Sequence, residues 1–376
     1  MFLNLLHFAL VKNVTRMYNI RQYYSNFKKA LHSSAGKFGL ILCCADLCSV
    51  KENCVRAPCL KPNFHDSLCV ILFFNCCNLE MEMQIDMSEF VIITDSTVDL
   101  SQEMADSLDL DIIPLTFNIE DEQYENYLDG RNLSFKDFYD ELRKGKKAGT
   151  SALNESTYIE RVEPYLKDGK DVLILAFSSG LSTTYNSSVQ AVNTLCEKYP
   201  ERKIYTIDSK CASLGFGLLN YLAVEQKNEG RDIDEVRQYV IDIIPKLCHW
   251  VTVGDLHHLK RGGRISAATA IVGTAIGIKP IIHLDDEGHL TNVSKVRGRA
   301  QSLEFLADKM METAVDIENQ VVFICHSDCY EDAKLLEAMI YTRTKVKAVH
   351  INYIGPVIGA HTGPGTVALF FIGTER

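Results

Sequence analysis

The sequence lacks a hydrophobic run long enough to cross a membrane. A spanning helix needs roughly 20 apolar residues, and the apolar run from Leu68 to Phe74 stops at Asn75. A secretory signal is also missing, because the first 11 residues carry neither a basic start nor a small-residue cleavage pattern. We therefore expect a cytoplasmic protein with no stable membrane insertion.

Positive charge is scarce as well. The chain has 39 lysines and arginines against 49 aspartates and glutamates, a net charge of -10 at pH 7, and no basic stripe. Nucleic-acid binding needs a basic face that neutralises phosphates, so we exclude nucleic acid as the main partner. With 376 residues, 47% hydrophobic and 23% charged, the composition is typical of a globular protein of two domains.

Phosphate-binding motifs are absent. No Gly-x-Gly-x-x-Gly follows the first predicted strand, and Gly-x-x-x-x-Gly-Lys-Ser/Thr does not occur. The lone Gly215-Phe216-Gly217 is better explained by helix packing than by a dinucleotide turn. We expect no direct nucleotide binding and no cofactor.

Metal-binding cysteine pairs are missing too. Eight of the 13 cysteines precede Met87, but they show adjacent pairs and four-residue gaps, whereas zinc sites favour Cys-x-x-Cys. The charge also changes sign here, since residues 1–87 hold nine basic and six acidic residues. We predict that residues 1–86 are an atypical Cys-rich extension with little fold of its own, translated from upstream of a true start at Met87 and not part of the native protein.

From residue 90 to 207, apolar runs alternate with helical patterns. Strands are predicted over 90–94, 110–117, 171–177 and 203–207, and helices over 100–108, 135–144, 154–167 and 182–199. This alternation is typical of a parallel sheet covered by helices. Two consecutive helices, 211–228 and 232–246, then break the rhythm. We therefore predict an N-terminal α/β domain over 88–245.

A second series of elements follows residue 245. Strands are predicted over 250–253, 279–284, 289–295, 320–326, 346–353 and 366–372, and helices over 300–313 and 331–341. A hairpin turn is expected around Glu287-Gly288. The pattern predicts a smaller mixed-sheet α/β domain over 246–376. The polar stretch 118–132 is predicted to be an exposed flap, and the Gly/Pro-rich stretch before residue 366 a loop.

Two clusters of hydroxyl side chains stand out, one after the predicted strand 171–177 and one after the basic loop at 143–147. Ser178 to Tyr185 joins a buried strand to a helix start, where unpaired N–H groups and the positive end of the helix dipole favour an anion. Thr150-Ser151 precedes another helix, where helix capping is the alternative explanation. Open α/β sheets bind ligands at the carboxyl edge of their strands, so both clusters are candidates for one site.

Two later segments are further candidates for contact with an anion. Lys260-Arg261-Gly262-Gly263-Arg264 is a cationic turn whose glycines allow the backbone and the guanidinium groups to approach a ligand, unless it is simply a solvated loop. His361 lies beside a Gly/Pro-rich stretch and can donate to a carboxylate, although a lone histidine is also a common structural residue.

Serine hydrolysis is an alternative use of the same residue types. Asp95, Ser96, Ser182 and His361 together supply the side chains of a catalytic triad. The sequence has no Gly-x-Ser-x-Gly elbow in this region, however, so the nucleophile lacks its usual strained turn.

Taken in chain order, five motifs closely resemble the DegV family of fatty acid-binding proteins. They are Asp95-Ser96-Thr97, Thr150-Ser151, Ser178 to Tyr185, Lys260 to Ile265, and His361 to Thr366. The resemblance covers essentially all of residues 87–376 and leaves residues 1–86 outside the family pattern.

The resemblance implies two α/β domains with a long-chain fatty acid such as palmitate in the cleft between them. The tail would occupy an apolar tunnel. On the positions that match the family pattern, Thr150 and Ser182 would hydrogen-bond the carboxylate, with Ser151 and His361 at the same head group.

The resemblance also implies a partner rather than an enzymatic activity. In bacteria such proteins present the fatty acid to a separate kinase subunit, which uses ATP to make acyl phosphate for phospholipid synthesis. Arg264 above all, and Arg261 with it, would face the phosphoryl transfer or the kinase. Two residues depart from the family pattern, which usually has Gly where this chain has Thr183 and Pro where it has Leu153.

Overall fold

The computed structural model of the chain describes residues 89–254, 256–265 and 277–376. The prediction of a Cys-rich extension over residues 1–86 falls outside these ranges. The elements up to residue 243 are β1 (Phe90–Asp95), α1 (Gln102–Ser107), β2 (Asp111–Ile113), β3 (Thr116–Ile119), β4 (Glu122–Glu125), α2 (Phe135–Arg143), β5 (Ala148–Ser151), α3 (Glu155–Lys167), β6 (Asp171–Ala176), α4 (Thr184–Lys198), β7 (Ile204–Asp208), α5 (Leu214–Asn228) and α6 (Ile233–Ile243).

The later elements of the described chain begin at residue 247. They are β8 (Leu247–Thr252), α7 (His257–Arg261), β9 (Ile278–Leu284), β10 (Leu290–Arg297), α8 (Arg299–Thr313), β11 (Val321–His326), α9 (Tyr330–Arg343), β12 (Ala348–Tyr353), α10 (Pro356–Thr362) and β13 (Val367–Ile372). Short 3-10 segments at Ser96–Val98, Ile244–Lys246 and Ile317–Asn319 join some of these elements.

A four-stranded parallel sheet of order β2-β1-β6-β7 forms the first layer. Every residue of β6 is buried, which explains its uninterrupted apolar sequence, because helices cover both faces of such a sheet. Helix α3, which packs against β6, begins at a polar cap, since Asn154 Oδ1 accepts the N–H of Thr157 at 2.9 Å. The predicted fold class of a parallel sheet covered by helices is confirmed.

One predicted strand was wrong. The run 110–117 divides into β2, which joins the parallel sheet, and β3, which lies in an antiparallel sheet of order β4-β3-β5. Pro114 stands between the two strands and has no N–H to donate to a ladder. The next N–H, that of Leu115, donates to Ser96 Oγ at 3.0 Å. The chain therefore leaves the first sheet at the proline.

Two segments that were predicted to be irregular contain regular secondary structure. The predicted flap 118–132 contains the regular strand β4, which is mostly exposed. The sequence pattern did not predict this strand because its side chains are polar. The loop before residue 366 contains helix α10, which starts with Pro356 in its first turn and is followed by Gly363 at φ 73°. Proline at the start and a left-handed glycine after the end are ordinary helix boundary signals.

The second main sheet is mixed and has the order β10-β9-β8-β13-β11-β12. Only β11 and β12 run parallel within it, and the predicted hairpin around Glu287-Gly288 joins β9 to β10. The predicted mixed α/β architecture of the second part is confirmed. Helix α5 packs against β8, β11 and β13, and a single buried core includes side chains such as Phe216, Leu173 and Phe370 from both parts. The division at residue 245 stays a prediction.

The hairpin between β9 and β10 touches the turn that follows β6. Ser178 Oγ donates to the carbonyl of Gly288 at 3.0 Å. A β-carbon on Gly180 would lie 2.6 Å from that same carbonyl oxygen, and one on Gly288 would overlap Ser178 Oγ. Both glycines are therefore required for this close approach.

We predict that Gly288→Ala destabilises the protein more than Gly145→Ala. Both glycines have a left-handed φ, of 78° and 89°, but a β-carbon on Gly145 would meet nothing within 4 Å. The backbone strain of about 1–2 kcal/mol is common to the two variants, and the clash at Gly288 adds about 1–3 kcal/mol. Urea unfolding measures the difference, and equal losses of unfolding free energy would contradict the contact.

Candidate functional site

A cavity of about 530 Å³ lies between the carboxyl edge of the parallel sheet, helix α10 and the mixed sheet. This volume is in the range of small-molecule sites. Most of its wall is apolar, with contributions from Leu115, Phe177, Leu181, Val251, Val253, Leu259, Ile282, Leu284, Leu290, Ile354, Val357, Ile358, Ala368 and Phe370. Polar side chains border much of the rest of the wall, so the cavity suits a long apolar ligand with a polar end.

The N-terminus of helix α4 forms one polar part of the wall. The strand β6 delivers the chain to a tight turn, in which the N–H groups of Leu181 and Ser182 both donate to the Ser178 carbonyl at 3.1 Å. Within the described residues, no hydrogen bond uses the N–H groups of Tyr185 or Asn186. Unpaired N–H groups and the helix dipole give this end of α4 a positive potential. An anionic oxygen is therefore favoured there.

Ser182 and Thr183 shape the start of the same helix. Ser182 Oγ lies 2.9 Å from Thr184 Oγ1 and accepts the Thr184 N–H at 3.2 Å, so its hydroxyl is held at the cavity wall. Thr183 has φ -81° and an exposed side chain. This position therefore accommodates a β-carbon without backbone strain, although the family pattern has glycine there.

Thr150 and His361 meet at another part of the cavity wall. Thr150 lies on β5, opposite Phe117 of β3, and its Oγ1 is 2.9 Å from His361 Nε2 in the last turn of α10. Burial, and after it the charge of Arg264, lowers the pKa of His361 to about 4. The imidazole is therefore neutral at physiological pH and acts as a hydrogen-bonding group rather than a cation.

The cationic turn contributes one of its two predicted arginines. Arg264 lines the cavity, and its Nε donates to the Leu181 carbonyl at 3.2 Å. Burial lowers the pKa of Arg264, but a guanidinium stays charged in proteins. Gly262 lies against the His361 ring so closely that a β-carbon would overlap Nδ1. The turn therefore places a cation and an imidazole side by side.

The structure brings five of the six predicted site residues to this cavity. Thr150, Ser151, Ser182, His361 and Arg264 all line it. Arg261 is exposed outside the wall, where its Nη2 lies 2.8 Å from His258 Nδ1. The roles assigned to these residues stay predictions.

The residue types of a hydrolase do not form a triad here. His361 Nε2 is bonded to Thr150, and Ser182 Oγ to Thr184. Asp95 instead accepts the Thr97 N–H at 2.9 Å on Oδ1 and the Phe177 N–H at 3.3 Å on Oδ2. Its carboxylate thus fixes the end of β6, just before the turn at Ser178.

Sequence reasoning missed four polar residues of the cavity wall: Asn186, Ser213, His249 and Cys325. His249 Nε2 accepts the Ala212 N–H at 3.2 Å, and its Nδ1 lies 3.1 Å from the Leu247 carbonyl. Burial lowers the pKa of His249 well below its ordinary value, so this ring is neutral too. A histidine or cysteine within an apolar strand gives no local signal that its side chain borders a cavity.

The described part of the chain offers no group of three or more histidine, cysteine, aspartate or glutamate side chains arranged for a metal ion. Likewise, no helix within those residues has the length and apolarity needed to cross a membrane.

Known proteins resemble this chain over the described region. The model of the family described as "Uncharacterised protein, DegV family" matches residues 89–374. A DegV domain-containing protein of Clostridium perfringens is 45% identical over 290 residues, which are 77% of this chain and 99% of the relative.

Two solved structures share the fold. A fatty acid binding DegV family protein from Streptococcus agalactiae is 28% identical, with a TM-score of 0.67 over 77% of this chain and all of its own. A DegV family protein from Thermus thermophilus, solved for its fatty acid binding, is 26% identical, with a TM-score of 0.69 over 76% of this chain and 99% of its own.

We predict that His361 stays neutral until the pH falls to about 4. Imidazole NMR spectra measure this directly. In Arg264→Gln the loss of the neighbouring charge should raise the pKa of His361, but not to its ordinary value, because burial is the larger cause and persists. Arg261→Gln is the matched control and should leave the pKa of His361 unchanged. A His361 that titrates normally in the wild type would contradict its burial in the site.

Proposed function

Because the chain belongs to the DegV family, we propose that it binds one long-chain fatty acid in this cavity. The relatives from Streptococcus agalactiae and Thermus thermophilus are fatty acid-binding proteins of the same fold. The carboxylate lies at the polar end, between the start of α4 and the Thr150–His361 pair. The tail extends along the apolar wall.

One observation carries the proposal: hydroxyls, unpaired backbone N–H groups and a neutral imidazole all border one largely apolar cavity. A buried carboxylate must be hydrogen-bonded, because an unpaired charge away from water is very costly. The hydroxyls of Thr150 and Ser182, the N–H groups at the start of α4 and the His361 imidazole supply the partners. Hydrogen bonds to an ionised group are stronger than neutral ones, so these few groups suffice.

The apolar wall supplies most of the affinity. Each buried CH₂ group contributes about 0.8 kcal/mol, so a chain of palmitate length gains far more from its tail than from its head group. The head group fixes the direction in which the acid lies. Apolar and polar wall residues lie close together in the chain. Leu181 directly precedes Ser182, and Val357 lies one helical turn before His361.

The proposal extends to a partner. We assign the protein the role of a carrier in the bacterial cytoplasm that presents its fatty acid to a separate ATP-dependent fatty acid kinase. A carboxylate oxygen attacks the γ-phosphorus of ATP, the bond to ADP breaks, and the acyl phosphate enters phospholipid synthesis. The absence of a nucleotide motif from the sequence and the cationic turn at Arg261 and Arg264 support this role.

An acyl hydrolase that uses Ser182 is the alternative. The bond between His361 and Thr150 disfavours it, because the imidazole is not placed on the Ser182 hydroxyl. Turnover of long-chain acyl esters that disappears in Ser182→Ala would favour the hydrolase over the carrier.

We predict that Thr150→Ala and Ser182→Ala each weaken palmitate binding by about tenfold to a hundredfold. Loss of a hydrogen bond to a charged group costs about 1.5–3 kcal/mol, which corresponds to this range of affinity. Ser187→Ala is the matched control, because Ser187 lies on the same helix outside the cavity and bonds only to the Thr183 carbonyl. Native mass spectrometry and competition with a fluorescent fatty acid measure binding. A wild-type protein that carries no lipid and takes up no palmitate would refute the proposed function.

We further predict that Arg261→Ala separates binding from presentation. Its exposed guanidinium lies outside the cavity wall, so palmitate binding should change less than about twofold. Acyl phosphate formation with ATP and a purified bacterial fatty acid kinase should fall by at least about tenfold at low carrier concentration, because charge at the rim guides association. Arg231→Ala removes a partly exposed cation, paired with Glu229 between α5 and α6, and serves as the control. Equal rates for the two variants would remove Arg261 from the kinase surface.

A further inference from the structure

Ser213 borders the cavity with a strained backbone. It precedes α5 with φ 53° and ψ -142°, and its side chain is only 4% exposed. Residues other than glycine rarely adopt such a left-handed φ. The strain costs of order 1–3 kcal/mol and persists only where the surroundings fix it, which occurs most often at functional sites.

Asp99 holds the Ser213 side chain in place. Ser213 Oγ donates to Asp99 Oδ2, while Asp99 Oδ1 accepts the Gly355 N–H at 3.0 Å. Burial raises the pKa of Asp99 to about 8, so its carboxyl is largely protonated at neutral pH. Because a protonated carboxyl also has an O–H to donate, the Ser213 hydroxyl can either donate to Asp99 or accept from it, and in the second arrangement its own proton is available to a ligand.

A thiol extends the polar patch. Cys325 Sγ lies 3.4 Å from Ser213 Oγ, and both residues border the cavity. Sulfur is a weak acceptor, so the thiol does not replace a good partner for the hydroxyl. The apolar side chains of Ile354, Ala368 and Phe370 also line the cavity. Ser213 is therefore a polar point on a largely apolar wall.

Helix α10 sets the distance between this patch and the head group. Gly355, which bonds to Asp99, directly precedes the helix, and His361 lies in its last turn. Six residues at 1.5 Å each separate the two positions by about 9 Å along the helix axis. A fatty acid whose carboxylate lies beside His361 passes Ser213 part-way along its chain.

We propose that Ser213 and Asp99 form a second polar site in the cavity, which accepts a hydroxyl or oxo group carried in the middle of the acyl chain. The inference rests on the proposed fatty acid binding and names the substrate class that the cavity favours. A hydroxyl buried in an apolar tunnel without a partner costs about 1–3 kcal/mol, and Ser213 removes that cost at one position of the chain. An unsubstituted chain touches Ser213 only through van der Waals contact.

The test compares stearate with a series of hydroxystearates and oxostearates substituted at different carbons. In the wild type, acids substituted in the middle of the chain should bind at least about tenfold more tightly than isomers substituted near the methyl end. The oxo acids show whether Ser213 donates to the ligand or accepts from it, since an oxo group can only accept a hydrogen bond. A wild type with no positional preference would overturn the inference.

Variants at Ser213 identify the group responsible. In Ser213→Ala the positional preference, with each affinity expressed relative to that of stearate in the same variant, should fall below about threefold. Ser213→Gly removes the hydroxyl and relieves the left-handed strain, so it provides the test if the alanine variant does not fold. Ser188→Ala, a buried serine bonded to Thr206 outside the cavity, is the matched control.

The outcomes separate the two proposals. A preference that survives in both Ser213 variants overturns the second polar site and leaves fatty acid binding intact. A wild type that binds neither stearate nor its derivatives overturns the proposed function, and the second site with it.

Discussion

The cavity depends on the contact between the turn after β6 and the hairpin that joins β9 to β10. The turn belongs to the parallel sheet and the hairpin to the mixed sheet, and both must approach to backbone distance for the wall to close. Gly180 and Gly288 make this approach sterically feasible, and the Ser178 hydroxyl satisfies the Gly288 carbonyl that would otherwise be buried without a donor. A side chain at either glycine would separate the two sheets at the cavity wall.

Two buried carboxyl groups fix the walls that this contact brings together. Asp95 holds the end of β6 through the Phe177 N–H, and Asp99 holds the start of α10 through Gly355. Burial raises their pKa to about 6 and about 8, above the ordinary 3.8. Their contribution to stability is therefore fully present below pH 3.8 and is lost as the pH rises through these values. Each carboxyl positions backbone at or beside a residue of the cavity wall, at Phe177 for Asp95 and next to Ile354 for Asp99.

The sequence predicts the elements whose burial is uniform and misses those that depend on distant contacts. The strands β1 and β6 stand out as apolar runs because helices cover both faces of their sheet. By contrast, the apolar run 110–117 was predicted to be one strand, but it divides at Pro114 into β2 and β3. The N–H that proline lacks matters only where a neighbouring strand would accept it, and the local sequence does not show that.

The same limit applies to the site. The hydroxyls at Thr150 and Ser182 were found because each follows a recognisable motif near a helix start. Ser213 was not, because its left-handed backbone and its bond to Asp99 join positions 114 residues apart. Nothing in the local pattern at either position encodes that pairing.

The chemistry of the head group follows from the choice of neutral donors. A carboxylate fixed by a buried salt bridge would lose nucleophilicity toward phosphorus, because the paired charge stabilises the ground state more than the transition state. In the proposed complex, hydroxyls, backbone N–H groups and a neutral His361 orient the carboxylate without neutralising it. The cation of Arg264 lies at the same end of the cavity, bonded to the Leu181 carbonyl. It has no carboxylate partner among the described residues, so in the proposed kinase reaction its charge is available to the transferred phosphoryl group.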